Sequence, residues 1–156
     1  MIKAALFDLD GVVFETESQY SIFWGMIGRE YHPEIPDFEY RIKGQTLVQI
    51  YDKYFSEDSV FAHIKGYTDV KSEQDKITTR LNEFEKNMSY PYITGFEDFI
   101  KDLKQNGVKC AVVTSSNVQK MQNVYRQHPE FKGYFDRVLT SEDFAKSKPD
   151  PDCYLK

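Results

Sequence analysis

The chain has little cysteine, a single tryptophan and no surplus of positive charge. Its two cysteines, Cys110 and Cys153, make no metal-ligand spacing and no evident disulfide framework. Cys110 lies inside an apolar run and reads as a buried small hydrophobe. The net charge of -5 argues against a nucleic-acid surface. No apolar run reaches the ~18 residues needed to span a bilayer. A lone early Lys3, followed by strand-like sequence and then acidic residues, lacks the pattern of a secretory signal. Repeats and low-complexity tracts are absent as well. These absences suit a reducing cytoplasm and a partner that is neither nucleic acid nor membrane. They leave the oligomeric state open.

What is present is an ordinary globular balance of apolar and charged residues, rich in Phe and Tyr. At 156 residues the chain can hold one domain, or a small core with an insert. The apolar run Ile2–Leu9 contains Asp8, and Asp10 and Gly11 follow it. Such a run, bounded by a turn signal, predicts a buried parallel strand. In open α/β sheets, ligands bind at the carboxyl ends of the strands. Two carboxylates there can hold a hard cation and attack an electrophile, although a D-x-D pair also suits a plain polar turn. Gly95–Gln105 carries Phe96, Phe99, Ile100 and Leu103 at helical spacing and stops at Asn106-Gly107. The apolar run Val108–Val113 follows it, so the segment reads as helix, tight turn, strand. Val118–Gln127 reads as a further helix and Val138–Leu139 as a third strand.

The span from Asp8 to Thr114 is several times the dozen or more residues that a parallel crossover needs. The excess predicts an inserted unit. We place a Rossmann-like parallel α/β core at 1–16 and 89–156, and a helical cap at 17–88. Three apolar stripes fall within the insert: Tyr20, Phe23, Trp24 and Ile27; Leu47, Ile50, Tyr51, Tyr54 and Phe55; Ile77, Leu81, Phe84 and Met88. They read as the core faces of a small bundle. Phe14-Glu15-Thr16 leads out to the insert and Ser89-Tyr90-Pro91-Tyr92 leads back. Two adjacent crossings of this kind suit a hinged lid.

Further residues line up with the aspartates. Thr114-Ser115-Ser116-Asn117 ends the second strand in hydroxyls and opens a helix. It can present an anion-binding hydroxyl and backbone N–H groups, or simply cap the helix. Lys148 falls in a Pro-fixed loop, Lys146 to Pro151, ahead of a predicted final helix at Asp152–Lys156. A Lys held there can neutralise phosphate charge.

In these residues the chain resembles the haloacid dehalogenase superfamily, specifically the β-phosphoglucomutase-like phosphatases with a helical cap after the first strand. Phe7-Asp8-Leu9-Asp10-Gly11-Val12 matches the first motif, Val113-Thr114-Ser115 the second, and Lys148-Pro149 the third. The resemblance implies a Mg²⁺-dependent phosphatase acting on a small phosphorylated metabolite such as a sugar phosphate. Asp8 would form an aspartyl-phosphate, with Asp10 as acid and then base. Thr114 and Lys148 would hold the phosphoryl oxygens. Gly11, Ser115, Ser116 and Asn117 would lie on the substrate side, with Thr16, Tyr20, Lys43 and Gly44 contributed from the hinge and cap. Mg²⁺ would bind the Asp8 carboxylate and the Asp10 main-chain carbonyl.

The sugar-phosphate mutases of this family carry a His four residues after the hinge Thr, where this chain has Tyr20. They also carry an Arg three residues past a Lys-Gly pair. Here Lys43-Gly44 is followed by Leu47. An apolar side chain cannot replace a fork-shaped cation on a second phosphate, which favours a phosphatase over a phosphomutase. The family's fourth, acidic motif belongs beyond Lys148. Glu142-Asp143 precedes that Lys and reads as part of the third strand's loop. The expectation is therefore a chain truncated before the fourth motif. The alternative to a phosphatase is then an inactive fragment that binds a phosphate ligand or a partner. With its metal under-ligated, a 156-residue product is expected to turn over p-nitrophenyl phosphate weakly or not at all. Normal turnover by a product of verified mass would contradict this.

Overall fold

The computed structural model describes residues 1–156. The chain divides into two units, Met1–Glu17 with Ser89–Lys156, and Ser18–Met88. The first holds a three-stranded parallel sheet of β1 (Ala4–Phe7), β2 (Lys109–Val113) and β3 (Arg137–Leu139), in that spatial order. Ala4 pairs with Lys109 and Phe7 with Val112, while Val113 pairs with Leu139. The fold class is therefore α/β, as expected.

The helices of this unit form where apolar spacing and end signals agree. α5 (Phe96–Gln105) buries Phe96 and Ile100. It ends where Gly107 takes a positive φ of 73° and donates to the Lys104 carbonyl, a conformation only glycine adopts without strain. α6 (Val118–Gln127) buries Met121 and Val124, and a single short turn, α7 (Phe131–Tyr134), follows it. Aromatic rings fill the interior. Phe14 stacks on Tyr92, His128 and Phe131 at centroid distances of 4.9, 5.2 and 5.6 Å.

The two crossings to the insert run side by side as an antiparallel pair. The Glu15 N–H donates to Pro91 O and the Ile93 N–H to Val13 O, each at 2.9 Å. His128 Nε2 donates to the Tyr90 carbonyl at 2.5 Å.

Two local expectations need correction. β1 is not buried on both faces: it lies at the edge of the sheet, and Leu6 is 52% exposed. The final segment is a 3₁₀ turn, Pro151–Tyr154, not an α-helix. Its polar residues serve loop geometry instead. Asp150 accepts from the Asp152 N–H, and Asp152 accepts from the Ala145 and Lys146 N–H groups.

The second unit contains α1 (Glu17–Tyr31), α2 (Phe38–Arg41), α3 (Leu47–Tyr54) and α4 (Val70–Asn87), with a 3₁₀ turn at Asp58–Phe61. α1 begins at the last residue of the first unit. Caps fix the helix starts. Thr46 and Gln49 form a reciprocal capping box, and Asp69 accepts from the Ser72 N–H, satisfying N–H groups the helix cannot. The three predicted stripes converge in one core that contains Phe23, Ile27, Ile50, Phe55, Ile77 and Leu81. Met88 is buried but caps α4 outside that cluster. Glu73 is fully buried there, accepting from Tyr31 Oη at 3.0 Å and pairing with Lys76 at 2.6 Å. Burial, then the adjacent Glu73, raise the Tyr31 phenol well above its ordinary value. No helix is long and apolar enough to cross a membrane.

Gly28 sets the approach of α1 to Phe38. A Cβ there would lie 2.5 Å from Phe38 Cβ and 2.8 Å from its Cγ. On an open helix face, Gly→Ala stabilises by about 1 kcal/mol. Here Gly28→Ala is expected to destabilise by about 1–3 kcal/mol through overpacking, read as a lower midpoint in urea unfolding.

Candidate active site

The parallel sheet delivers the polar groups to one edge. Asp8 follows the last residue of β1 and Thr114 the last residue of β2, and the Phe7–Val112 pairing places these chain positions side by side. The Thr114 N–H continues the ladder to Leu139 O at 3.0 Å. Lys148 reaches the same point from the loop after β3. Its Nζ donates to Asp8 Oδ1 at 2.6 Å and to the Val113 carbonyl at 3.0 Å. The Lys148–Pro149 peptide is cis. Asp8 remains 45% exposed, so its carboxylate is open to an incoming group.

Asp10 is held by a tight loop. Gly11 adopts φ 76° and its N–H donates to Phe14 O, while the N–H groups of Val13 and Phe14 converge on Leu9 O. Glycine is required there by conformation. Space is also short, since a Cβ would lie 2.9 Å from Glu17 Oε1. The turn brings buried Thr16 back onto Asp10, its Oγ1 donating to Oδ1 at 2.6 Å. Ser116 Oγ donates to Oδ2 at 3.4 Å. Lys120 Nζ donates to both oxygens, at 2.8 and 2.7 Å.

Lys120 is the residue that sequence reasoning missed. A signal was available: it lies four positions before Val124, on the stripe that α6 buries, where a solvated lysine is out of place.

The hydroxyl loop is held by its own hydrogen bonds. Thr114 is buried and its Oγ1 accepts from the Ser116 N–H at 3.0 Å. Ser115 is exposed. Asn117 serves as the N-cap of α6, its side chain accepting from the Lys120 N–H at 2.8 Å. Glu142 accepts from the Val118 N–H at the same helix start, and Asp143 from the N–H and hydroxyl of Thr140. That acidic pair therefore organises the loop after β3. Burial pushes the Glu142 carboxyl up. Hydrogen bonds from Val118, Thr140, its own N–H and Ser141 outweigh this and hold it below the usual range.

Tyr20, Lys43 and Gly44 belong to the second unit. Tyr20 packs against that unit's core, Lys43 Nζ sits 5.1 Å over the Tyr40 ring, and Gly44 has φ 77°.

The edge thus carries two carboxylates, each with its own lysine, beside a buried hydroxyl. Asp8 brings a hard-oxygen donor of the kind Mg²⁺ takes. No group of three or more His, Cys, Asp or Glu side chains converges as a metal cage.

A family model described as haloacid dehalogenase-like hydrolase matches residues 5–156. The chain is 28% identical over 162 residues to a protein of Caldanaerobacter subterraneus subsp. tengcongensis provisionally named pyrophosphatase PpaX, covering 99% of this chain and 66% of that one. It is 23% identical over 158 residues to a phosphorylated carbohydrates phosphatase of Thermotoga maritima, covering 99% and 68%. The crystal structure of a HAD hydrolase, family IA, variant 3, from Entamoeba histolytica superposes with a TM-score of 0.73 at 19% identity. It covers 99% of this chain and 68% of that one. The chain therefore spans about two thirds of the length of the relatives it matches.

If Asn117 acts as a cap, Asn117→Ala is expected to cost about 1 kcal/mol of stability and Asn117→Ser to retain it. Thermal unfolding of the two variants checks this.

Proposed function

The chain belongs to the haloacid dehalogenase-like hydrolases, and from that premise we propose that it is a phosphatase for a small phosphorylated metabolite, with Asp8 as the nucleophile. One observation carries the reading. Lys148, nearly the whole chain away in sequence, sits 2.6 Å from Asp8 at the edge where Thr114 follows β2.

An Asp8 oxygen attacks phosphorus and the bond to the leaving oxygen breaks, giving an aspartyl-phosphate. Lys148 offsets the negative charge that the reacting phosphoryl group brings, and Thr114 with the N–H groups after it orients its oxygens. Asp10 gives a proton to the leaving oxygen. Water then attacks the phosphorus of the aspartyl-phosphate, the phosphorus–Asp8 oxygen bond breaks to free the carboxylate and inorganic phosphate, and Asp10 takes a proton from that water. Every contact to Asp10 described above comes from a donor, the arrangement of a carboxylate set for the second step.

The Asp8 carboxylate and the Asp10 main-chain carbonyl are the residues that would hold Mg²⁺, waters filling the remaining positions. The ion would supply electrostatic stabilisation of the phosphoryl oxygens.

The names of the relatives point to phosphorylated carbohydrates or pyrophosphate as the substrate class. A hydrolase is favoured over a mutase because Leu47, at the position of the mutase Arg, packs against the helical core of the second unit. It offers no cation to a second phosphate.

Asp8→Ala is expected to remove turnover of p-nitrophenyl phosphate, and EDTA to suppress it until Mg²⁺ is restored. Full activity in Asp8→Ala would defeat the assignment.

A further inference from the structure

Lys120 sits where elementary physics does not favour a lysine. Asn117 is the N-cap of α6, so Lys120 is the third residue of the helix. A cation in the first turn is opposed by the helix macrodipole. Its side chain is also only 5% exposed, and taking an ammonium out of water is expensive unless it is paired. An apolar side chain would fill the same position without either penalty. Asp10 offsets these opposing terms. Nζ binds Asp10 Oδ1 at 2.8 Å and Oδ2 at 2.7 Å. Residues that break two local rules at once concentrate at functional sites.

The neighbours of the pair fit such a role. Thr16 holds Oδ1 and Ser116 holds Oδ2. The Ser116 N–H also binds the Thr114 hydroxyl, so one loop touches Asp10 and carries the proposed phosphoryl anchor. Glu142, accepting from the Val118 N–H, places a carboxylate at the helix start and eases the opposition to the nearby cation.

We infer that Lys120 is a positioning residue for Asp10: it fixes the carboxylate in the orientation that takes a proton from the attacking water. The inference rests on the phosphatase reading above. In the step concerned, the water oxygen bonds to phosphorus and one water proton passes to an Asp10 oxygen. The phosphorus–Asp8 oxygen bond breaks, its electron pair returns to Asp8, and inorganic phosphate leaves. Without Lys120 the Asp10 side chain keeps only the Thr16 and Ser116 hydroxyls and can occupy other rotamers. Attack by Asp8 on a substrate with a good leaving group needs no acid and is left unchanged.

The test is rapid-mixing kinetics of Lys120→Met with p-nitrophenyl phosphate and Mg²⁺, alongside intact-mass measurement of the quenched protein. A general base contributes about 10²–10⁴-fold. The steady turnover, weak in this chain to begin with, is expected to fall by at least about 10-fold while the first release of p-nitrophenolate keeps its wild-type rate. Phosphoryl-protein should accumulate, and Lys120→Arg should recover part of the loss. Equal slowing of both phases, or no accumulation of phosphoryl-protein, overturns the role of Lys120 while leaving Asp8 as nucleophile. Wild-type turnover that survives Asp8→Ala, or absent turnover and phosphoryl-protein in the wild type, overturns both readings. A merely structural lysine would lower the unfolding temperature and slow the two phases together.

Discussion

The parallel ladder between β1 and β2 pairs Ala4 with Lys109 and Phe7 with Val112, and the chemistry at the strand ends depends on that register. Asp8 and Thr114 are the first residues past the two strands, and Lys148 bridges them through Asp8 Oδ1 and the Val113 carbonyl. A slip of one residue would reverse which face each side chain meets. It would also move Asp8 away from the carbonyl that Lys148 grips. The sheet is small, yet its register decides whether three distant parts of the chain form one site.

Two Asp–Lys pairs occupy this edge under different conditions. Asp8–Lys148 is half open, with Asp8 45% exposed, as suits the nucleophile we propose. Asp10–Lys120 is more enclosed, its lysine only 5% exposed. Pairs near the surface are screened and contribute little stability. Enclosed pairs carry a desolvation penalty that only close geometry offsets. Their value here lies in orientation. The turn around Gly11 and the cap of α6 bring together groups that solvent would otherwise hold apart.

The helical unit is an ordinary apolar bundle that also buries two polar side chains, Glu73 held by Tyr31 and Lys76, and His32 held by Glu34 and the Tyr54 carbonyl. Its stripes were legible because helical periodicity is local: Phe23, Ile27, Ile50, Ile77 and Leu81 all reach one core. The short helix α2 was not legible, since four residues carry too little periodicity to register. The final turn was misread for a related reason. Asp150 and Asp152 bond to loop N–H groups, competition that residue spacing does not reveal.

Taken by itself, the chain's order of residues determined the α/β class, marked the inserted helical stretch and singled out Asp8, Asp10, Thr114 and Lys148 as candidates. Each of these depends on local period or on a short motif, and both are properties of neighbours in sequence. Tertiary structure alone decided the rest. It left Leu6 of β1 exposed, settled Asn117 as the cap of α6, and placed Lys120 on Asp10. Those outcomes turn on which group lies within hydrogen-bond reach once strands and helices pack. For Lys120 and Asp10 that distance is set by two separate segments meeting, which neither segment encodes on its own.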